Sequence, residues 1–181
     1  MEKFKNIELF IFDLDGTICK LDIDWDELKN FLRKKYGTDL NFEYLDVGIE
    51  NVEKLGEKAK KEAYEIVRRY ELKGVKKLKP IKKVLKLIKI LKQQNKTLAI
   101  FSSNLKETAE KALKKLKIIE DFEIIISKED VKKHKPSCEG LKKIIKLSKV
   151  SKEKVIYIGD KKKDLEAGKR AGIKTILVSQ I

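Results

Sequence analysis

Charged and polar side chains gather at four places in this chain of 181 residues, each behind a short apolar run. The run IELFIFD, residues 7–13, leads into Asp13-Leu14-Asp15-Gly16-Thr17. The run TLAIF, residues 97–101, leads into Ser102-Ser103-Asn104. Lys135-Pro136 follows an apolar run at 122–126. Gly159-Asp160, continued by Lys161-Lys162-Lys163-Asp164, follows a run at 155–158. Two acids directly behind a buried strand are unfavourable unless a cation accompanies them. Singly, each cluster has a plainer use. Gly16 suits a turn, Ser102, Ser103 and Asn104 are helix-capping types, and Asp160 and Asp164 suit a helix N-terminus. Lys135 is one lysine among dozens. Four such clusters together favour a ligand site.

The elements that must position them follow from periodicity. Residues 7–13 are apolar throughout and read as a buried, parallel strand. Residues 97–101, 122–126, 155–158 and 175–178 read as further strands. Helical spacing marks 106–116, 136–147 and 164–171, and also Pro80 onward, where Ile81, Val84, Leu85, Ile88 and Leu91 repeat at three and four residues. Strand–helix alternation with apolar strands predicts an α/β fold with a five-stranded parallel sheet. Ligands of such sheets bind beyond the carboxyl ends of the strands, near the switch point of strand order. All four clusters lie there. Residues 19–76 break the alternation. They carry one helix over 24–36, with Trp25, Leu28, Phe31 and Leu32 at helical spacing and Gly37 ending it. A second covers 48–72, with Val52, Leu55, Ala59, Ala63, Ile66 and Val67 on one side and Gly74 closing it. Trp25 is expected to pack the core of this insertion.

Composition narrows the setting. Hydrophobic residues make up 41%, enough for a packed core. Lys or Glu interrupts every apolar run, so no membrane span is expected. The N-terminus lacks the architecture of a secretory signal, and a cytoplasmic location is expected. Cys19 and Cys138 form no CxxC pair, which argues against a disulfide framework or a zinc site and for reduced structural thiols. Forty-four basic against 29 acidic residues give a net charge of +15. The basic residues are mostly lysines dispersed through helices, without interleaved aromatics. That pattern predicts weak, non-specific attraction to nucleic acid and a field favourable to small anions. It is also common in heat-adapted proteins.

The four clusters, in this order, resemble the motifs of the haloacid dehalogenase superfamily, from about residue 7 to residue 179. FDLDGT resembles its first motif in the phosphatase form. Ser102 resembles the second, Lys135 of the KP pair the third, and GDKKKD the acidic fourth. The nearest likeness is to the phosphoglycolate-phosphatase-like branch. The resemblance implies a Rossmann-like three-layer core with strand one central, which sets Asp13 and Asp160 on neighbouring strands ~5 Å apart. The implied domains are an α/β core of residues 1–18 and 77–181 and a helical cap of residues 19–76.

The resemblance also implies roles. Asp13 is the nucleophile that forms an aspartyl-phosphate. Mg²⁺ is held by the Asp13 and Asp160 carboxylates and the Asp15 backbone carbonyl, and Asp164 holds a metal-bound water or orients Lys135. Lys135 neutralises the nucleophile and the phosphoryl group. Ser102, with the backbone N–H groups near Ser103 and Asn104, binds phosphoryl oxygens. Asp15 protonates the leaving oxygen and then activates water. His134 is read as a surface residue without a role. Specificity belongs to the cap, where Lys20, Arg68 and Arg69 are candidates for a second anionic group. The expected substrate is a small phosphorylated metabolite; nucleotides and nucleic-acid ends are alternatives. Asp15 argues against dehalogenation, and a phosphonatase would need an amine in the cap. A sugar phosphomutase shares every core residue. A nucleic-acid-binding protein on such a core would explain the charge but not four intact acids. The oligomeric state is left open by the sequence.

Overall fold

The computed structural model describes residues 4–37, 40, 42 and 45–181. Five strands form one parallel sheet: β1 (Leu9–Phe12), β4 (Thr97–Phe101), β5 (Ile124–Ile126), β6 (Val155–Gly159) and β7 (Lys174–Leu177), in the order β5-β4-β1-β6-β7. Every residue of β1 is fully buried. A central strand covered on both faces has no polar side to present, hence its unbroken LFIF. In register, Leu9 sits beside Thr97 on one flank and Val155 on the other.

The helices follow from the order of the strands. The chain runs outward from β1 to β4 and β5 through α4 (Lys82–Gln93) and α5 (Lys106–Lys115). It then crosses through α6 (Glu139–Ser148) to β6, on the far side of β1, and on through α7 (Lys162–Ala171) to β7. Right-handed crossovers in opposite directions put α4 and α5 on one face and α6 and α7 on the other. The core on the second face joins Leu9, Ile11, Phe101 and Tyr157 to Leu141, Ile144 and Ala167. The direction reverses between β1 and β6, so the switch-point crevice opens beyond the ends of those two strands.

Residues Leu21–Lys77 form a second compact unit, separate from Met1–Lys20 with Leu78–Ile181. It holds α1 (Trp25–Tyr36), α2 (Leu45–Glu53) and α3 (Glu57–Lys76). Asp24 caps α1 by accepting the Glu27 N–H at 2.8 Å. The expected single helix over 48–72 is in fact two, because Gly56, at φ +113°, breaks the run. Gly74 does not close the second helix but lies inside it. A side chain there would overlap Ile23. Phe31 and Leu55, which share the helical spacing of the apolar residues, are exposed, and Trp25, expected to pack the core of the insertion, is half-buried. The core of this unit is built from Leu28, Leu32, Phe42, Ile49, Val52, Ala63, Ile66 and Val67. Tyrosine hydroxyls tie its helices together: Tyr70 donates to Glu27 at 3.0 Å and Tyr64 to Glu53 at 2.9 Å.

Some boundaries move. Pro80 does not open α4. It pairs with Cys19 in a two-residue antiparallel ribbon of β2 (Cys19–Lys20) and β3 (Lys79–Pro80), so the stretch after the first motif is not wholly free of strand. Pro136 precedes α6, which starts at Glu139. Among the described residues, no helix is long and apolar enough to cross a membrane.

Gly140 sets how closely α6 approaches β4, since a methyl group there would overlap the Phe101 ring. Gly140→Ala is expected to destabilise the fold by about 1–3 kcal/mol, as overpacked cores do. Thermal melts check this, and Phe101→Leu in the same chain should restore part of the loss.

Candidate active site

The segment after β1 keeps its place by backbone bonds. Asp13 N–H donates to Ile158 O at 2.9 Å, extending the β1–β6 pairing by one residue. The carbonyl of Leu14 then accepts Ile18 N–H at 2.9 Å and Cys19 N–H at 3.2 Å, which closes a tight turn. Gly16 stands in that turn at φ +90°, and a side chain there would run into the Asp160 carboxylate. The turn brings the first motif against the fourth. Asp15 is half-buried on its rim.

Asp13 is 6% exposed and Lys135 4%. The Lys135 ammonium donates to Asp13 Oδ1 at 2.6 Å and to Asp164 Oδ1 at 3.0 Å. It also lies 4.7 Å from the centre of the Phe101 ring and 5.3 Å from that of Tyr157. A buried ammonium is tolerated where carboxylates and ring faces replace its water. Its loop is braced from outside. The Glu139 carboxylate accepts the Lys132 and Lys133 N–H groups at 2.9 and 3.0 Å, and Arg170 donates to Pro136 O at 3.1 Å. His134, expected at the surface, is buried beside Lys135, drawn in with this braced loop.

The acids divide by their partners. Asp164 Oδ1 accepts Lys135 and the Tyr157 hydroxyl, the latter at 2.6 Å. Its Oδ2 accepts the Asp160 and Lys161 N–H groups at 3.2 and 3.1 Å. Burial pushes Asp164 up, but Lys135 and the Tyr157 hydroxyl outweigh it and hold the carboxyl below the usual range. Asp160 differs. Its Oδ1 is buried without a hydrogen-bond partner, and burial raises its pKa. Burial likewise pushes Asp13 up to about 6, against the pull of Lys135. Ligand oxygens of Asp13, Asp160 and Asp164 lie within 4.8 Å of one another. The Asp15 side chain is not one of this group. Orphaned, desolvated carboxylate oxygen of this kind fits a hard divalent cation.

Beyond β4, the Ser102 hydroxyl donates to Asn104 Oδ1 and accepts the Asn104 N–H, both at 3.0 Å. Ser103 turns the other way, and its hydroxyl accepts the Lys163 ammonium at 3.2 Å. None of the three caps α5, whose N-cap is Leu105. The loop keeps its polar groups at the end of the sheet instead. Lys20, in β2, is exposed, as is Arg69 on α3; Arg68 pairs with Glu65 along α3 at 3.4 Å. Both cysteines are free thiols, and burial, with Asp15 and Asp13 nearby, pushes the Cys19 thiol up to about 12. Such a thiol is unreactive near neutrality.

Tyr157, Phe101, Glu139 and Lys163 are the contributors that sequence reasoning missed. Only Tyr157 carried a signal, since a hydroxyl inside a buried strand needs a partner.

The chain is similar to known proteins in sequence and in fold. The family model described as haloacid dehalogenase-like hydrolase matches residues 10–178. The chain is 31% identical over 179 residues to a phosphoglycolate phosphatase of Aquifex aeolicus, covering 94% of this chain and 84% of that protein. Pyrophosphatase PpaX of Halalkalibacterium halodurans is 38% identical over 86 residues, but the match spans only 40% of that protein and 48% of this chain. Among solved structures, a haloacid dehalogenase-like family protein of Streptococcus pneumoniae superimposes with a TM-score of 0.68 at 23% identity, over 94% of this chain and 83% of that one. CbbY of Rhodobacter sphaeroides, solved with phosphate, gives 0.67 at 19%, over 94% and 85%. At those identities the two structures speak for the fold alone. With its family model matched from the first strand to the last, and a relative aligned over nearly all its length, the chain belongs to the haloacid dehalogenase-like hydrolases.

Proposed function

We propose that the chain is a Mg²⁺-dependent phosphatase that hydrolyses a small-molecule phosphate monoester through an aspartyl-phosphate on Asp13. The observation that carries this reading is the buried carboxylate cluster at the end of the central strand, in which Asp160 Oδ1 lacks a partner while Lys135 holds Asp13 at 2.6 Å. The names of the relatives, a phosphoglycolate phosphatase and a pyrophosphatase, point to phosphoryl transfer as well.

The Asp13 and Asp160 carboxylates and the Asp15 backbone carbonyl are the donors for Mg²⁺, which when bound screens the attacking carboxylate from the anionic phosphoryl group. The oxygens of Asp164 are taken by Lys135, Tyr157 and two N–H groups. Asp164 therefore serves by fixing Lys135. An Asp13 oxygen bonds to phosphorus as the bond from phosphorus to the leaving oxygen breaks. Asp15 gives that oxygen its proton. The Asp15 carboxylate then takes a proton from the water that attacks the phosphoryl-aspartate, which releases inorganic phosphate and frees Asp13. Lys135 neutralises charge on Asp13 and on the transferring group. Ser102, by turning its hydroxyl from Asn104 Oδ1, and the Ser103 N–H hold phosphoryl oxygens, while the Asn104 N–H, given to Ser102 Oγ, positions that hydroxyl. The helical segment, residues 19–76, is the part of the chain to which substrate specificity is assigned.

Hydrolysis of an aryl phosphate should require Mg²⁺ and vanish in excess chelator. Asp13→Asn should lower kcat by at least about 10³-fold and abolish trapping of a phosphorylated chain, with the circular dichroism spectrum unchanged. Full turnover in chelator would remove the metal from the scheme.

Asp15→Asn separates the two halves of the reaction. It should slow an alkyl phosphate by about 10²–10⁴-fold. It should spare formation of the intermediate from p-nitrophenyl phosphate, whose leaving group needs no proton. Rapid-quench measurements distinguish these, and an unchanged alkyl phosphate rate would disprove the acid–base role.

The pH dependence follows from Asp13. Its folded pKa, about 6, lies above the ordinary 3.8. The group therefore favours folding below pH 3.8 and loses that contribution as pH rises through 6. The Asp13 carboxylate would have to lose its proton to hold Mg²⁺, so raised Mg²⁺ would favour the ionised form. The acid limb of kcat/KM should lie near pH 6 at low Mg²⁺ and move lower as Mg²⁺ is raised. A limb fixed at every concentration would show that Asp13 is not a ligand.

A further inference from the structure

The loop that leads from β4 into α5 is held by the turn that follows β5. α5 opens at Lys106 with Leu105 at its N-cap, and no side chain of its own caps it. The first N–H groups of such a helix must find acceptors elsewhere. Here the Lys106 N–H donates to the Glu129 carboxylate at 2.5 Å, across 23 residues of sequence. Glu129 thus caps α5 from a neighbouring loop, and its negative charge lies at the positive end of the helix.

Two further bonds join the same segments. Ser102 N–H donates to Ile126 O at 2.9 Å, one step past the β4–β5 pairing, and Lys128 N–H donates to Asn104 O at 3.3 Å. The loop is therefore gripped at its start, middle and end. The turn that grips it is itself fixed. Ser127 donates to Asp130 Oδ2 from its N–H at 2.9 Å and from its hydroxyl at 2.8 Å, and Lys143 of α6 donates to Asp130 O at 3.0 Å. Ser127 is buried and Glu129 exposed. Loss of the Glu129 carboxylate would spare the turn and the first two bonds and release only the end next to α5. A carboxylate beside a loop that binds phosphoryl oxygens also repels them. Charge and position therefore act on an anion in opposite directions.

We propose that Glu129 is a positioning residue for phosphoryl binding: by capping α5 from outside, it fixes the loop that sets the Ser102 hydroxyl and the Ser103 N–H. It acts through that loop and touches no substrate atom. The inference rests on the reading of the Ser102 loop as phosphoryl-binding.

The test is binding of inorganic phosphate by titration calorimetry, at fixed Mg²⁺ and near-physiological salt. Glu129→Met, which loses both the charge and the acceptor, should bind phosphate about 5-fold more weakly, the equivalent of one lost helix cap. Glu129→Gln, which loses the charge but keeps an acceptor oxygen, should bind within about 2-fold of the native chain or more tightly. A carboxylate acting by charge alone would make both variants bind more tightly. Hydrogen exchange reads the loop without a ligand: the amides of residues 102–106 should exchange faster in Glu129→Met and as in the native chain in Glu129→Gln. Thermal melts establish that both variants are folded. Unchanged or tighter phosphate binding in Glu129→Met, equal weakening in Glu129→Gln, or unchanged exchange over the loop would each overturn the proposal. A native chain that bound no phosphate would overturn it together with the phosphatase reading. Turnover of p-nitrophenyl phosphate by the native chain tests that reading separately. Its absence, with phosphate binding still weakened in Glu129→Met, would sink the phosphatase reading and leave the role of Glu129 standing.

Discussion

The ammonium of Lys135, buried between two carboxylates and two aromatic rings, is the interaction on which the site depends. Five segments contribute to it. β1 delivers Asp13, β4 the Phe101 ring, β6 the Tyr157 ring and hydroxyl, the first turn of α7 Asp164, and the loop before α6 the lysine itself. Desolvating an ion costs several kcal/mol even after relaxation, and only near-ideal partners offset it. Removing one partner of such a cluster typically costs about 3–5 kcal/mol, since the remaining charge is left buried and alone. The central strands can then be read as a frame that holds these charges at fixed spacing. The braces around it, Glu139 on the lysine loop and the Asp160 and Lys161 N–H groups on Asp164, serve the same end.

This frame also explains what was legible in the sequence. Strands that are apolar on both faces write themselves as unbroken runs, so the five-stranded sheet and the acids at its edge could be read directly. The order of clusters along the chain carried the site because topology sends every strand end to one edge. Side-chain pairing across the sheet leaves no such trace. The roles of Phe101 and Tyr157 depend on which strands are neighbours, and that Ser103 meets Lys163 depends on how a loop turns. The helical unit was less legible. Gly56 interrupts what reads as one helix without changing its period, and Gly74 looks like a stop but is a place of close approach. Phe31 and Leu55 satisfy the spacing of an inward face and are exposed nonetheless, because periodicity reports a face and not what covers it. His134 was misjudged for a related reason, since its burial follows from the packing of its loop.

The small ribbon of β2 and β3 has a wider consequence. Cys19 pairs with Pro80 and Lys20 with Lys79, so the chain leaves the α/β unit and returns to it at adjacent backbone positions. Paired residues of antiparallel strands lie about 5 Å apart, a gap that a tight turn of two residues can span. The strand order of the sheet is therefore indifferent to how many residues intervene. Lineages could lengthen, shorten or exchange this segment without re-registering a single core strand. Such a junction lets the strand ends of the sheet keep their places while the inserted helical segment changes, a division of labour written into one short ribbon of backbone contacts.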